Sequence, residues 1–136
     1  MKKSILVTGA SKGIGLAIAK RLAREDYHVI GVARHDLQES FPGTLITCDL
    51  SRVDETHGML ANIAKQHAVY GVINNVGLSH RDEVGMIELD SFTKLMDFNV
   101  RTAIQIGQYF VESMRQAGEG RIIHMSSVAF HGMVNR

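Results

Sequence analysis

Three glycines stand in Val7-Thr8-Gly9-Ala10-Ser11-Lys12-Gly13-Ile14-Gly15, where a short apolar run gives way to a helical pattern. The run Ser4-Ile5-Leu6-Val7 is long enough for a buried parallel strand. After it, Ile14, Ala17, Ile18 and Leu22 recur at helical spacing. Glycines at a strand-to-helix turn point to phosphate binding. Gly9 can take backbone angles closed to other residues, and Gly13 lets the backbone approach a pyrophosphate. Gly15 lets helix and strand pack closely. The helix start adds unpaired N–H groups and a partial positive charge. The spacing G-x-x-x-G-x-G is neither G-x-G-x-x-G nor a P-loop, because no Gly-Lys-Ser/Thr triplet follows.

Two cations belong to the same chemistry. Lys12 sits inside the glycine loop, and Arg34 follows the second apolar run. Ala33 takes the place at which a carboxylate would bond the ribose hydroxyls of NAD. Together the cations would receive a 2′-phosphate, arginine bidentately and lysine as a point charge, so the expected cofactor is NADP(H). Either alone reads as a solvated surface charge. Asp36 competes with this reading, since a two-residue shift would bring its carboxylate near the ribose.

These residues need elements to hold them. Strands are expected at 4–8, 29–33, 44–48, 71–74 and 121–125. Helices are expected at 13–25, at 53–66 with Ser51 or Asp54 as N-cap, and at 91–116. In the last, Phe92, Leu95, Met96, Val100, Ala103, Ile104 and Ile106 recur at helical spacing, and Gly118 and Gly120 end it. Alternating strands and helices imply an α/β fold. It is a Rossmann-type doubly wound parallel sheet in three α/β/α layers, forming one dinucleotide-binding domain over residues 1–136. The pattern stops after the fifth strand, so the domain reads as truncated, incomplete at its C-terminal side. Residues 34–43, with the single Pro42, are too few for a crossover helix and read as a loop or one turn. The polar stretch 78–85 reads as the most flexible.

Composition narrows the function classes. The 136 residues carry a net charge of +1 and no basic run, which argues against nucleic acid or an anionic membrane as partner. No apolar run approaches a membrane span. Met1-Lys2-Lys3 before an apolar run resembles a signal peptide start, but the run breaks at Thr8-Gly9. The chain is expected to be cytoplasmic. Cys48 is the only cysteine, so no internal disulfide can form, and its place after Leu45-Ile46-Thr47 reads as buried, reduced and inert. The seven histidines form no metal pair with a third ligand, and no metal is expected.

Residues 8–15 resemble the cofactor loop of the short-chain dehydrogenases/reductases, and four further motifs follow in that family's order. Asp49-Leu50 is similar to its adenine-holding pair, with the carboxylate accepting from the exocyclic amine. Asn74-Asn75-Val76-Gly77 resembles Asn-Asn-Ala-Gly, with Val76 adding two methyls beside the cofactor and Gly77 admitting the adenosine. Asn99, a poor helix former in mid-helix, matches the active-site asparagine, whose backbone distortion and bound water serve a proton relay. Its neighbours Met96 and Val100 argue against a solvent-facing position. Ser126-Ser127 resembles the strand end that carries the catalytic serine, and by register that serine is Ser127. Without the resemblance, Asp49, the asparagine pair and the two serines each read as ordinary turn residues.

The family's proton donor is a tyrosine with a lysine four residues later, past the serine. Tyr27, Tyr70 and Tyr109 are followed at that distance by Gly31, Asn74 and Ser113, so no Tyr-x-x-x-Lys occurs here. The resemblance implies hydride transfer between a nicotinamide and a small carbonyl or alcohol, nearest in flavour to 3-oxoacyl-[acyl-carrier-protein] reduction, in a homo-oligomer. A cyclic diol or hydroxy acid is the alternative substrate. A truncated dinucleotide-binding fragment without activity is the alternative function.

Overall fold

The computed structural model describes residues 2–36, 40–80, 82–83 and 85–131. Short aliphatic and β-branched runs form five strands: β1 (Ser4–Thr8), β2 (His28–Ala33), β3 (Thr44–Thr47), β4 (Val69–Asn74) and β5 (Arg121–His124). All pair in parallel, in the order β3-β2-β1-β4-β5. The helices are α1 (Gly13–Arg24), α2 (Val53–Gln66), α3 (Leu89–Met96) and α4 (Thr102–Ala117). The doubly wound α/β/α arrangement expected from the alternation is the one observed.

Alternation along each strand feeds two cores. Leu6, Ile30, Val32 and Val72 point to one face and pack with Leu60 and Ile63 of α2 and Ile106 and Phe110 of α4. Ile5, Val7, Val29 and Ile73 point to the other and pack with Ala19 of α1. Because both faces are covered, the inner strands read as continuous apolar runs rather than as an alternating pattern. Each fully buried aliphatic side chain contributes about 1.5–3 kcal/mol relative to exposure. Phe41 closes the α1 side of β2. A Cβ on Gly31 would come within 2.4 Å of the Phe41 ring, so only glycine leaves room for it.

The helix expected over 91–116 is interrupted. Between α3 and α4, Asp97–Arg101 forms a π-turn, which takes one extra residue into the helical ladder. From there the buried positions step by four: Phe98, Thr102, Ile106, Phe110 and Met114. Of the seven apolar positions at helical spacing, only Ile106 is fully buried. Phe92, Met96, Val100 and Ile104 are 53%, 46%, 42% and 56% exposed. Val100, Ala103 and Ile104 of that stripe line an open groove beside β5. Gly118, at φ +70°, ends α4 in the left-handed conformation.

A second correction concerns α2. Its N-cap is Arg52, with no side-chain cap, rather than Ser51 or Asp54. The Ser51 hydroxyl donates to Asp49 Oδ1 instead, at 2.8 Å. The loop expected at 34–43 falls partly on residues 37–39, and the flexible stretch at 78–85 partly on 81 and 84, all outside the described residues. The described residues of 34–43 form no helix.

Candidate functional site

From β1 the chain builds outward through β2 to β3, then returns to the other side of β1 for β4 and β5. The loops after β1 and β4 therefore diverge at the point where the strand order reverses, where ligands bind in open α/β sheets. A cleft of about 420 Å³ opens there. It brings together Gly9, Ser11, Lys12, Gly13 and Ile14 from the first loop, Arg34 from the end of β2, Leu50 after β3, and Asn75, Val76 and Gly77 after β4. Gly15, Asp49, Asn99 and Ser127 lie outside its lining.

The three glycines divide the work of the first loop. Gly9 and Gly13 have φ of +66° and +54°, in the left-handed region. A Cβ on Gly13 would meet nothing within 4 Å, so the backbone there is bare toward the cleft. A Cβ on Gly15 would stand 2.1 Å from the Gly9 carbonyl oxygen. Gly15 thus lets the loop fold back on itself, a tighter demand than helix–strand packing. No side chain caps α1, and its first turn holds no acid. Its free N–H groups and partial positive charge face the cleft without a competing carboxylate. With Lys12 and Arg34 exposed on the rim, the donor set fits a dinucleotide's phosphates.

Thr8, fully buried at the end of β1, latches this loop to β4. Its Oγ1 accepts from the backbone N–H groups of Asn75 and Val76, at 3.0 and 3.1 Å. The Asn75 amide returns a bond to the Thr8 carbonyl at 3.0 Å. Asn74 bridges to the next strand, its Nδ2 lying 3.2 Å from His124 Nδ1. The asparagine pair therefore ties three strands at their C-terminal ends, and Val76 stands in the cleft wall while packing on the core.

Asp49 serves its own turn. Its Oδ1 accepts from the Ser51 N–H and hydroxyl, at 3.0 and 2.8 Å. Those bonds hold the carboxyl below its usual range, and the charge of Arg34 adds to the effect. Cys48 is 1% exposed, and burial pushes its thiol up to about 11. It is a neutral wall of the cleft, not a nucleophile. Among the described residues, no group of three His, Cys, Asp or Glu side chains is placed to hold a metal ion.

Asn99 sits in the π-turn with an exposed side chain, flanked by exposed Met96 and Val100, contrary to the expected burial. Its amide is nonetheless bonded to the chain through both its oxygen and its nitrogen. Oδ1 accepts from the Leu78 N–H at 2.7 Å, and Nδ2 donates to the Leu78 carbonyl at 2.8 Å. Leu78 lines the cleft, so Asn99 acts on it at one remove. Ser127 lies beyond β5, where its Oγ accepts from the Ala129 N–H at 3.1 Å and opens a short 3-10 turn, Val128–His131.

The model of the family described as short chain dehydrogenase matches residues 3–135. The chain belongs to that family. It is 29% identical over 136 residues to the NADPH-dependent pterin aldehyde reductase of Arabidopsis thaliana, covering 92% of this chain and 56% of that protein. It is 31% identical over 132 residues to the 3-oxoacyl-[acyl-carrier-protein] reductase MabA of Mycobacterium avium, covering 95% and 51%. A Beutenbergia cavernae structure assigned as an NAD(P)-dependent gluconate 5-dehydrogenase, with NADP bound at low occupancy, superposes with TM-score 0.88 at 26% identity. That match covers 98% of this chain and 57% of the other. The chain spans about half the length of the relatives it matches.

In this short-chain dehydrogenase the sequence reading missed several cleft residues. Val32, Cys48 and Phe98 form apolar wall beside Ala33, and His35 and Leu78 lie along the edge. Thr8 was legible as a polar residue ending a buried strand, but the glycines beside it drew the reading. Leu78 and Phe98 carried no signal, because only the fold sets them against the loop after β1. No described helix is long and apolar enough to cross a membrane.

Proposed function

We propose that this protein is an NADP(H)-dependent oxidoreductase that moves hydride between the nicotinamide and a carbonyl or alcohol carbon. The observation that carries this is the cleft at the strand-order reversal, with an uncapped helix start at its floor and Lys12 and Arg34 on its rim. The NADPH-dependent pterin aldehyde reductase and the NADP-bound dehydrogenase among its relatives support the same cofactor.

NADPH held in the cleft would supply the hydride for the carbonyl carbon, and the carbonyl oxygen must gain a proton. The loop of Gly9 and Gly13 and the start of α1 would hold the pyrophosphate. Lys12 and Arg34 would hold the 2′-phosphate. Asp49 would reach the adenine with the oxygen that Ser51 leaves free, beside Leu50. Asn75, Val76 and Gly77 would border the adenosine. Asn99 holds Leu78 in the cleft wall. The Ser127 oxygen accepts from Ala129 N–H, which leaves its proton to donate to the substrate oxygen as negative charge develops. Serine and asparagine orient and polarise a carbonyl, but neither replaces the acid that a Tyr-x-x-x-Lys would provide. The second reading is a dinucleotide-binding unit without turnover.

A 3-oxoacyl thioester is the substrate class we favour, as the match to the MabA reductase suggests. A cyclic diol or hydroxy acid is the runner-up, as the gluconate 5-dehydrogenase suggests. A cytoplasmic homo-oligomer completes the reading.

Cofactor choice tests it. Losing a charge-assisted contact costs about 1.5–3 kcal/mol, so Arg34→Ala should weaken NADPH binding about 10- to 150-fold. NADH binding should change little. Titration of both cofactors into both proteins decides, and equal losses for the two would overturn the proposal.

A further inference from the structure

We infer that Arg101 is a positioning residue for adenine recognition. From the π-turn it clamps the backbone of Leu50 and Ser51, and so aims the Asp49 carboxylate that would accept from the adenine amine. The inference rests on the cofactor reading above and adds to it a residue outside the cleft lining. Arg101 spreads its guanidinium over four partners. Nε and Nη2 donate as a fork to the two Asp97 oxygens, at 3.0 and 2.9 Å. Nη1 donates to Gln105 Oε1 at 2.8 Å, and the Gln105 amide donates on to the Val53 carbonyl at 3.1 Å. Nη2 also donates to the Leu50 and Ser51 carbonyls, at 2.9 and 3.3 Å. A planar fork fixed by a carboxylate one helical turn earlier has little freedom left. The two carbonyls on its other side are therefore pinned to the π-turn.

What the clamp holds is the loop between β3 and α2. Asp49 takes its aim from Ser51, whose N–H and hydroxyl both bond Oδ1 and leave the second oxygen for a ligand. A continuous line thus runs from Asp97 through Arg101 and Ser51 to Asp49. Leu50 lines the cleft, and so does Phe98 from the π-turn, so Arg101 also sets the spacing between two walls. The same turn reaches the loop after β4 through Asn99 and Leu78.

Arg101→Met keeps most of the stem and removes the fork. The Leu50 carbonyl retains the Thr102 hydroxyl at 3.5 Å, and the Asp97 side chain, 43% exposed, can bond water. The variant should fold, with the loop no longer held in one geometry. Arg101→Lys keeps the charge but can reach Asp97 or a carbonyl, not both as a fork.

The experiment is fluorescence titration of NADPH, NADH and the hypoxanthine analogue of NADPH into the full chain, Arg101→Met, Arg101→Lys and Asp49→Ala. Hypoxanthine places a carbonyl oxygen where adenine has its amine, so it cannot donate there to Asp49. At the weak end of the range for a hydrogen bond to a charged group, the full chain should prefer NADPH to the analogue about 10-fold. Arg101→Met and Asp49→Ala should each bring that preference below about 3-fold, with Arg101→Lys between Arg101→Met and the full chain. The preference for NADPH over NADH depends on Lys12 and Arg34, so it should be the same in both Arg101 variants as in the full chain. A residue that only supports the fold would not separate the two preferences. If both Arg101 variants keep the full chain's adenine preference, or lose both preferences together, the positioning role is overturned and the cofactor reading stands. If the full chain does not distinguish adenine from hypoxanthine, the adenine role of Asp49 fails and this inference fails with it.

Discussion

At the scale of single residues, the site is built from positions whose smallness or short polar side chain matters more than charge. Gly13 leaves backbone bare to a ligand, while Gly15 makes room for a carbonyl of its own loop, so two neighbouring glycines answer different demands. The serine pair divides in a similar way. Strand alternation alone cannot separate Ser126 from Ser127, because the ladder ends at His124 and only the Met125 N–H continues it, to the Asn74 carbonyl. What distinguishes Ser127 is the bond from Ala129 N–H, which fixes its oxygen at the start of the following turn. In a version of the protein carrying a Tyr-x-x-x-Lys, Ser127→Ala should lower kcat about 10²–10³-fold, the usual cost of one oxyanion donor, with cofactor affinity nearly unchanged. Ser126→Ala should cost far less. Steady-state kinetics of the two variants decide, and a larger loss at Ser126 would move the assignment by one residue.

At the scale of elements, the cleft depends on cross-links between strand ends and the π-turn. Arg101 within that turn donates to Asp97 at 2.9 Å and to the Leu50 carbonyl at 2.9 Å, so it ties the helical interruption to the loop after β3. The Arg101 bond to Asp97 holds that carboxyl below its ordinary range. Across the cleft, Thr8 does the equivalent work between β1 and β4. Thr8→Val keeps the shape and removes the oxygen on which two backbone N–H groups converge. Each donor stranded without a partner costs about 1–3 kcal/mol. Urea unfolding should therefore show a clear loss of stability for Thr8→Val and little for Thr8→Ser, which retains the hydroxyl. A Thr8→Val protein as stable as the original would show that water replaces the latch.

At the scale of the whole molecule, binding and turnover can be tested separately. The cleft is lined by residues of all the loops at the strand-order reversal, and no Tyr-x-x-x-Lys occurs among the 136 residues. The purified 136-residue protein should bind NADPH yet oxidise none of it in the presence of ketones or 3-oxoacyl thioesters. Absorbance at the nicotinamide band, with preparations free of host reductases, checks this. Turnover above background would mean that another group supplies the proton.

The chain's local pattern determined a great deal. Strand runs buried on both faces, a strand–glycine–helix turn and the order of five motifs are sequence-local features, and they led to the parallel sheet, the first loop and the family. The bare backbone of Gly13 and the rim positions of Lys12 and Arg34 followed from the same pattern. Only the tertiary structure decided the rest, because the rest consists of distances between segments far apart in the chain. Helical spacing around Asn99 gives no sign of the π-turn there, or that Met96 and Val100 are exposed. Nor does it show that the Asn99 amide will close on the backbone of Leu78, twenty-one residues earlier. Asp49 and Ser51 looked like separate candidates, one for adenine and one for a helix cap, until their side chains were found bonded to each other. His35 was one of seven scattered histidines, and it joined the site only when β2 ended beside the loop of Lys12.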